Sequence, residues 1–149
     1  EGHPVEYTND PYIISKHKSM VTINAIIAVD LTGQVCSESI GFLQYSGSGG
    51  QVDFVRGANL SENGQSFLAT HSTAKNGHFS SIVDVLPEGS VVTTPRTDVD
   101  MVVTEYGIAE LKGRNLSDRA QLLIKIAHPK FRDELQKSAY KRGLISGNY

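Results

Sequence analysis

The residues best placed for chemistry in this sequence are a glycine cluster and three scattered polar side chains. Gly47-Ser48-Gly49-Gly50-Gln51-Val52-Asp53-Phe54-Val55-Arg56-Gly57-Ala58 passes from backbone almost without side chains straight into an apolar-periodic segment. Small residues let a ligand approach the main chain, and a helix beginning near Gly50 would aim unpaired N–H groups at it. A phosphate or a thioester suits such an end, although a plain tight turn before a helix has the same composition. Glu105 closes the run Val99-Asp100-Met101-Val102-Val103-Thr104, which reads as a strand, and ligands of open α/β sheets collect outside the carboxyl ends of strands. Its alternative is a structural ion pair with Arg96 or Arg114. Asn9 stands in Thr8-Asn9-Asp10-Pro11, where it is either a helix cap or a site residue. Lys75 lies in a polar turn and is either a point charge for a phosphate or a solvated surface residue.

Other chemistries lack their residues. Five histidines show no His-x-x-x-His spacing and no paired carboxylates, which argues against a dedicated metal site. There is no Gly-x-Ser-x-Gly elbow, no complete Walker lysine loop and no Gly-x-Gly-x-x-Gly fingerprint. The net charge is -2 and the fourteen basic residues are dispersed, so no electrostatic footprint for nucleic acid exists. No apolar run approaches the ~20 residues of a spanning helix, and no membrane partner is expected. The single cysteine, Cys36, cannot form an internal disulfide and reads as a buried small hydrophobe, compatible with a reducing, cytoplasmic setting.

The elements that must position these residues follow from periodicity. With 149 residues, 39% of them hydrophobic, the chain is long enough to bury one core. Pro11 opens a helix that turns Ile13 and Ile14 inward. Met20 to Asp30 alternates with period two and is expected to be a single buried strand, with Val35 to Phe42 pairing back on it. On that strand Asn24 is read as a satisfied interior amide or a ligand contact. Val52, Val55 and Ala58 mark one face of the helix after the glycines, with Asp53 in its first turn favourable to the dipole. Ser66–Ser72, Ser80–Leu86 and Ser90–Thr94 read as three strands. Leu116, Ala120, Leu123, Ile124 and Ala127 make a helix capped by Asn115 or Ser117, stopped at His128-Pro129, and Phe131, Leu135 and Ala139 make another ending at Gly143. Arg114, Arg119 and Arg132 are expected on solvated faces or in ion pairs, with one of them able to orient Glu105.

In this order, Tyr7-Thr8-Asn9-Asp10-Pro11, Ile23-Asn24-Ala25, Val29-Asp30-Leu31-Thr32-Gly33-Gln34-Val35, Gly49 to Ala58, Ser72-Thr73-Ala74-Lys75, Val103-Thr104-Glu105-Tyr106-Gly107-Ile108-Ala109 and Arg119-Ala120 through Ala127-His128-Pro129 cover nearly the whole chain. Together they resemble the carboxy-terminal domain of the acetyl-CoA hydrolase/transferase family, most closely its 4-hydroxybutyrate and acetate CoA-transferases. The resemblance implies an α/β fold with a mixed or mostly parallel sheet flanked by helices. It makes residues 1–149 a single carboxy-terminal domain, a fragment of a longer enzyme. It implies a ping-pong transferase passing CoA between an acyl-CoA and a short-chain carboxylate through a glutamyl-CoA thioester.

In the family that glutamate sits in a His-x-Glu-Met-like motif upstream of this region. No such motif occurs here, so the isolated chain is expected to be inactive without the amino-terminal half of the enzyme. By similarity, Gly50 gives a backbone N–H to the acyl oxygen and, with Gly49, lines the thiol end of CoA. Lys75 contacts CoA, and Asn9 and Glu105 line the acyl and glutamyl site. Coenzyme A enters as substrate and product, no metal is implied, and the full-length enzyme is expected to be a homo-oligomer. A CoA-thioester hydrolase on the same scaffold and a CoA-binding or assembly module without chemistry are the alternatives.

Overall fold

The structure is a computed structural model and describes residues 1–146. Two short helices open it, α1 (Val5–Thr8) and α2 (Pro11–Ser15). Then come β1 (Val21–Ala25), β2 (Ala28–Asp30), β3 (Val35–Cys36), β4 (Ser39–Ile40) and β5 (Leu43–Gln44). Helix α3 (Gln51–Leu60) leads to β6 (Gln65–Ala69), β7 (Thr73–Ala74), β8 (Phe79–Ser80) and β9 (Ile82–Val83). Strands β10 (Met101–Thr104) and β11 (Gly107–Glu110) precede α4 (Leu116–Ile126) and α5 (Pro129–Lys141). The main sheet has the order β1-β6-β10-β11, parallel across the first three strands and antiparallel at β11. A smaller sheet has the order β3-β2-β9. This is the mixed α/β sheet with flanking helices that the sequence predicts.

Several boundaries differ from the expectation. Met20 to Asp30 is two strands rather than one, because the chain changes sheets between them. The Ile26 amide still bonds Ala69 O at the end of β6, whereas the Ile27 amide bonds Cys36 O. The period-two alternation continues through both strands, so periodicity cannot reveal the break. Only Val35 and Cys36 pair back on β2, and the residues beyond form the separate β4–β5 hairpin. The expected strand at Ser80–Leu86 contracts to β9, and Ser90–Thr94 is extended chain with a single bridge, Val35 to Thr94. The cap of α2 is Asp10, whose carboxylate accepts the Tyr12 amide, which leaves the side chain of Asn9 free of that duty.

The core is contributed by both sheets and three helices. Val29, Val35, Val55, Leu68, Ile82, Val102, Ala109, Leu111 and Leu123 are all fully buried in one cluster. Arg119 is a correction to the solvated or ion-paired arginine expected there. It is 8% exposed and turns inward, donating to the carbonyls of Arg114, Thr32 and Arg96 rather than to a carboxylate. Burial lowers its guanidinium from the ordinary value, with Arg96 adding repulsion.

The register of α2 against α3 rests on Gly57. A Cβ added at Gly57 would stand 2.5 Å from Ile14 Cβ and 2.4 Å from Ile14 Cγ2, so the two helices touch through a missing side chain. At their far ends Ser61 Oγ donates to His17 O at 2.6 Å. The helices therefore run side by side in the same direction. Gly57→Ala should destabilise the domain by about 1–3 kcal/mol through overpacking, read as a lower urea midpoint with an unchanged slope.

Candidate functional site

Chain direction decides where the candidate residues meet. Helix α3 precedes β6 through the short loop 61–64 and packs on β1 and β6, so over about 15 Å it runs antiparallel to them. Its carboxyl end lies at the start of β1, where the Met20 amide bonds Ser61 Oγ. Its amino end, with Gly49 and Gly50, consequently lies beyond the carboxyl ends of β1 and β6. Glu105 follows β10, which is parallel to them, and so occupies the same edge.

Around the glycines the geometry is tight on one side and open on the other. Gly50 is the residue preceding α3, and no side chain caps the helix. Its amide and that of Gly49 donate to no acceptor among the described residues. A Cβ built on Gly50 would lie 2.3 Å from Asn9 Nδ2, so the Asn9 amide rests directly on the Gly50 backbone. Gly49 has φ +56, a left-handed conformation that suits glycine, and a Cβ there would meet nothing within 4 Å. The helix start is pinned from behind by Gln51, which is buried and donates from Nε2 to Thr94 Oγ1 at 2.9 Å. Sequence reasoning left Gln51 without a role, because its partner is 43 residues away.

Glu105 is held by Ser72, not by an arginine. Ser72 donates its amide to Oε2 at 2.8 Å and its hydroxyl to Oε1 at 2.6 Å. Both bonds favour the ionised form, and the hydroxyl bond chiefly holds the carboxyl below the ordinary glutamate range against partial desolvation. His71 adds a smaller electrostatic pull. Glu105 and His71, with Ala25, Ile26, Ala69, Thr70, Val103 and Thr104, border an open groove of about 560 Å³. The sequence singled out neither Ser72 nor His71, and only their place just past β6 marks them.

Lys75 lies on the β7–β8 turn, which also leaves the carboxyl end of β6. It adopts φ 47, followed by Asn76 at φ 56 and Gly77 at φ 83, and its Nζ lies 5.6 Å from the centroid of the Phe79 ring. Lys130 Nζ donates to Gly77 O and ties this turn to α5. The structure thus lays Asn9 on Gly50, next to Gly49 in the chain, and leaves Glu105 past the end of β10 and Lys75 on the turn beyond β6, each with its own local partners. A separate cleft of about 350 Å³ between β8–β9 and α5, bordered by His78, Phe79, Ile82, Phe131 and Leu135, contains none of them. Among the described residues no three His, Cys, Asp or Glu side chains converge to hold a metal ion, and no helix is long and apolar enough to cross a membrane.

The Ser72 bonds make a pH prediction. A lowered carboxyl stabilises the fold fully above the unfolded glutamate value of about 4.3, and that contribution disappears as pH falls through the lowered folded value. Ser72→Ala should raise the Glu105 midpoint toward the ordinary range in a carboxyl-detected NMR titration. An unchanged midpoint would remove Ser72 as its cause.

Comparison with known proteins gives the family of the chain. The model for the acetyl-CoA hydrolase/transferase C-terminal domain matches residues 1–139. The 4-hydroxybutyrate coenzyme A transferase of Clostridium kluyveri is 56% identical over 95% of the chain, which covers 33% of that protein. The succinyl-CoA:cyclohexane-1-carboxylate CoA transferase of Geobacter metallireducens is 55% identical over 97% of the chain, again 33% of that protein. The crystal structure of RipA from Yersinia pestis superposes with a TM-score of 0.89 at 49% identity, over 95% of this chain and 32% of that one. The chain therefore spans about a third of the length of the relatives it matches. A domain-wide match of this kind, on a fold that sets glycine amides and a carboxylate at one sheet edge, has a plain consequence: the chain belongs to the acetyl-CoA hydrolase/transferase family, as its C-terminal domain.

Proposed function

We propose that this chain is the carboxy-terminal part of a CoA-transferase that exchanges CoA between an acyl-CoA and a short-chain carboxylate. The observation that carries the reading is the contact of the Asn9 amide with the Gly50 backbone, beside two glycine amides that no protein acceptor uses. In this reading the Gly50 N–H, at the positive end of α3, stabilises the oxygen of the tetrahedral intermediate formed when a carboxylate attacks the thioester. The attacking glutamate belongs to polypeptide outside this chain, so the nucleophile is not assigned here. Attack moves the carbonyl π electrons onto oxygen; collapse expels the CoA thiolate and leaves an acyl–glutamyl anhydride. The thiolate then attacks the glutamyl carbonyl, releases the free acid and leaves the glutamyl-CoA thioester, which the second carboxylate resolves by the reverse steps.

Each remaining candidate has a role that suits its surroundings. Asn9 offers an amide donor at the glycine loop and fixes how closely that loop approaches the acyl group. Glu105, kept ionised by Ser72, lines the acyl end and discriminates among charged substrates. Gly49, open on its outer side, lets the thiol arm of CoA pass. Lys75, on an exposed turn, supplies positive charge to a CoA phosphate.

The test joins this chain to the amino-terminal remainder of the Clostridium kluyveri relative and follows transfer of CoA from acetyl-CoA to butyrate. Transfer should be measurable and should fall in kcat for Gly50→Ala, because the new Cβ would meet Asn9 Nδ2 at 2.3 Å and push the retained amide off the acyl oxygen; full misalignment would reach the about 10²–10³-fold cost of a lost oxyanion donor. Lys75→Ala should raise KM for acyl-CoA and leave kcat nearly unchanged. Thioester loss without any acyl-CoA product from the acceptor acid would instead make the chain part of a hydrolase.

A further inference from the structure

The main sheet has two faces, and the described helices cover only one. Residues paired in register share a face, so Asn24, Leu68, Val102 and Ala109 lie together, on the side where α3 and α4 pack and where Leu68, Val102 and Ala109 are fully buried. The opposite face carries Ile23 beside Phe67 and Met101, and Ala25 beside Ala69, Val103 and Ile108, with polar Gln65 and Glu110 only at its far end from Glu105. Its centre at Met101 is buried, but its flanks are open: Ile23 is 72% exposed, Ile108 54% and Val21 53%. Strands paired in parallel are ordinarily covered on both faces, and an apolar sheet face left to water marks an interaction surface.

What covers it follows from three observations. The matching relatives are about three times as long as this chain, and the family model that matches describes their carboxy-terminal domain, so such an enzyme carries ample polypeptide on the amino-terminal side. The bare face is apolar along its middle, which suits packed helices rather than a charged partner. It is also continuous with the groove at Glu105, since Ala25, Ala69 and Val103 belong to both. We propose that this face seats a helical layer supplied by the amino-terminal polypeptide of the full-length enzyme, packed over Ile23, Phe67 and Ile108 and reaching the Glu105 groove. The inference rests on the proposed function, and it adds which surface receives the missing part. Covering the face would also bring that polypeptide to the sheet edge where the acyl group is held.

Cysteine labelling tests this, because the native thiol of Cys36 is buried and a new surface cysteine reports on its own position. Ile23→Cys, Ile108→Cys and, as control, Leu60→Cys at the 70% exposed end of α3 are placed singly in the joined polypeptide described above. Maleimide labelling is followed site by site by peptide mass spectrometry, in buffer and in urea. Positions 23 and 108 should label at least about tenfold more slowly in buffer than in urea, and position 60 within about threefold. Equal labelling at all three positions overturns the proposal. Protection at 23 that disappears on dilution also overturns it, by showing a second copy on the face. A joined polypeptide that transfers CoA yet labels freely at 23 rejects this surface alone. One protected at 23 that transfers nothing rejects the proposed function alone.

Discussion

The contact between α2 and α3 is the constraint from which the rest of the site follows. Ile14 occupies the space a side chain at Gly57 would fill, which fixes the spacing and direction of the two helices. Because they run the same way, the residue before the Asp10 cap of α2 meets the residue just ahead of α3. That is how Asn9 comes to lie on Gly50 although the two are far apart in the chain. The Gln51–Thr94 bond secures the same helix start from the other side. With the loop pinned on two sides, its amides keep one direction without having to reorganise around developing charge, which is the property an oxyanion site needs.

Electrostatics along this edge are arranged by short-range bonds rather than by ion pairs. The start of α3 supplies partial positive charge through its unpaired N–H groups. Glu105 supplies full negative charge, held ionised by two donors from Ser72. Neither Arg96 nor Arg114 forms the expected ion pair with it, and Arg119 is turned into the protein and satisfied by three carbonyls. Arg132 likewise bonds Ala127 O and lies 5.4 Å from the Tyr106 ring centroid. Among the described residues no arginine or lysine pairs with Glu105, which keeps its charge available to whatever enters the groove.

The same sheet explains why the groove at this edge is open. Helices on one face bury Leu68 and Val102 and hold the strands in register, so the carboxyl ends present their loops together. The other face, with Ile23 and Ile108 in water, leaves hydrophobic stabilisation unused. A sheet finished on one side only is a reasonable foundation for a cleft completed by further polypeptide.

Much was legible from the sequence. Period and punctuation gave α3, α4 and α5, Asn115 as one of two caps offered for α4, the proline start of α2, the break at His128-Pro129, which proves also to be the start of α5, and the glycine loop ahead of α3, because these depend on residues within one or two turns. The family followed from motifs in order along the chain. The sequence did not reveal the switch of sheets at Ile26–Ile27, the β10–β11 hairpin or the inward course of Arg119. Nor did it pair Ser72 with Glu105, 33 residues apart, or lay Asn9 on Gly50. Local sequence determined which segments become helix or strand and where backbone would be bare. Tertiary structure alone decided which of those bare amides and carboxylates would share one edge, because that depends on how strands distant in the chain pair and on a single missing side chain between two helices.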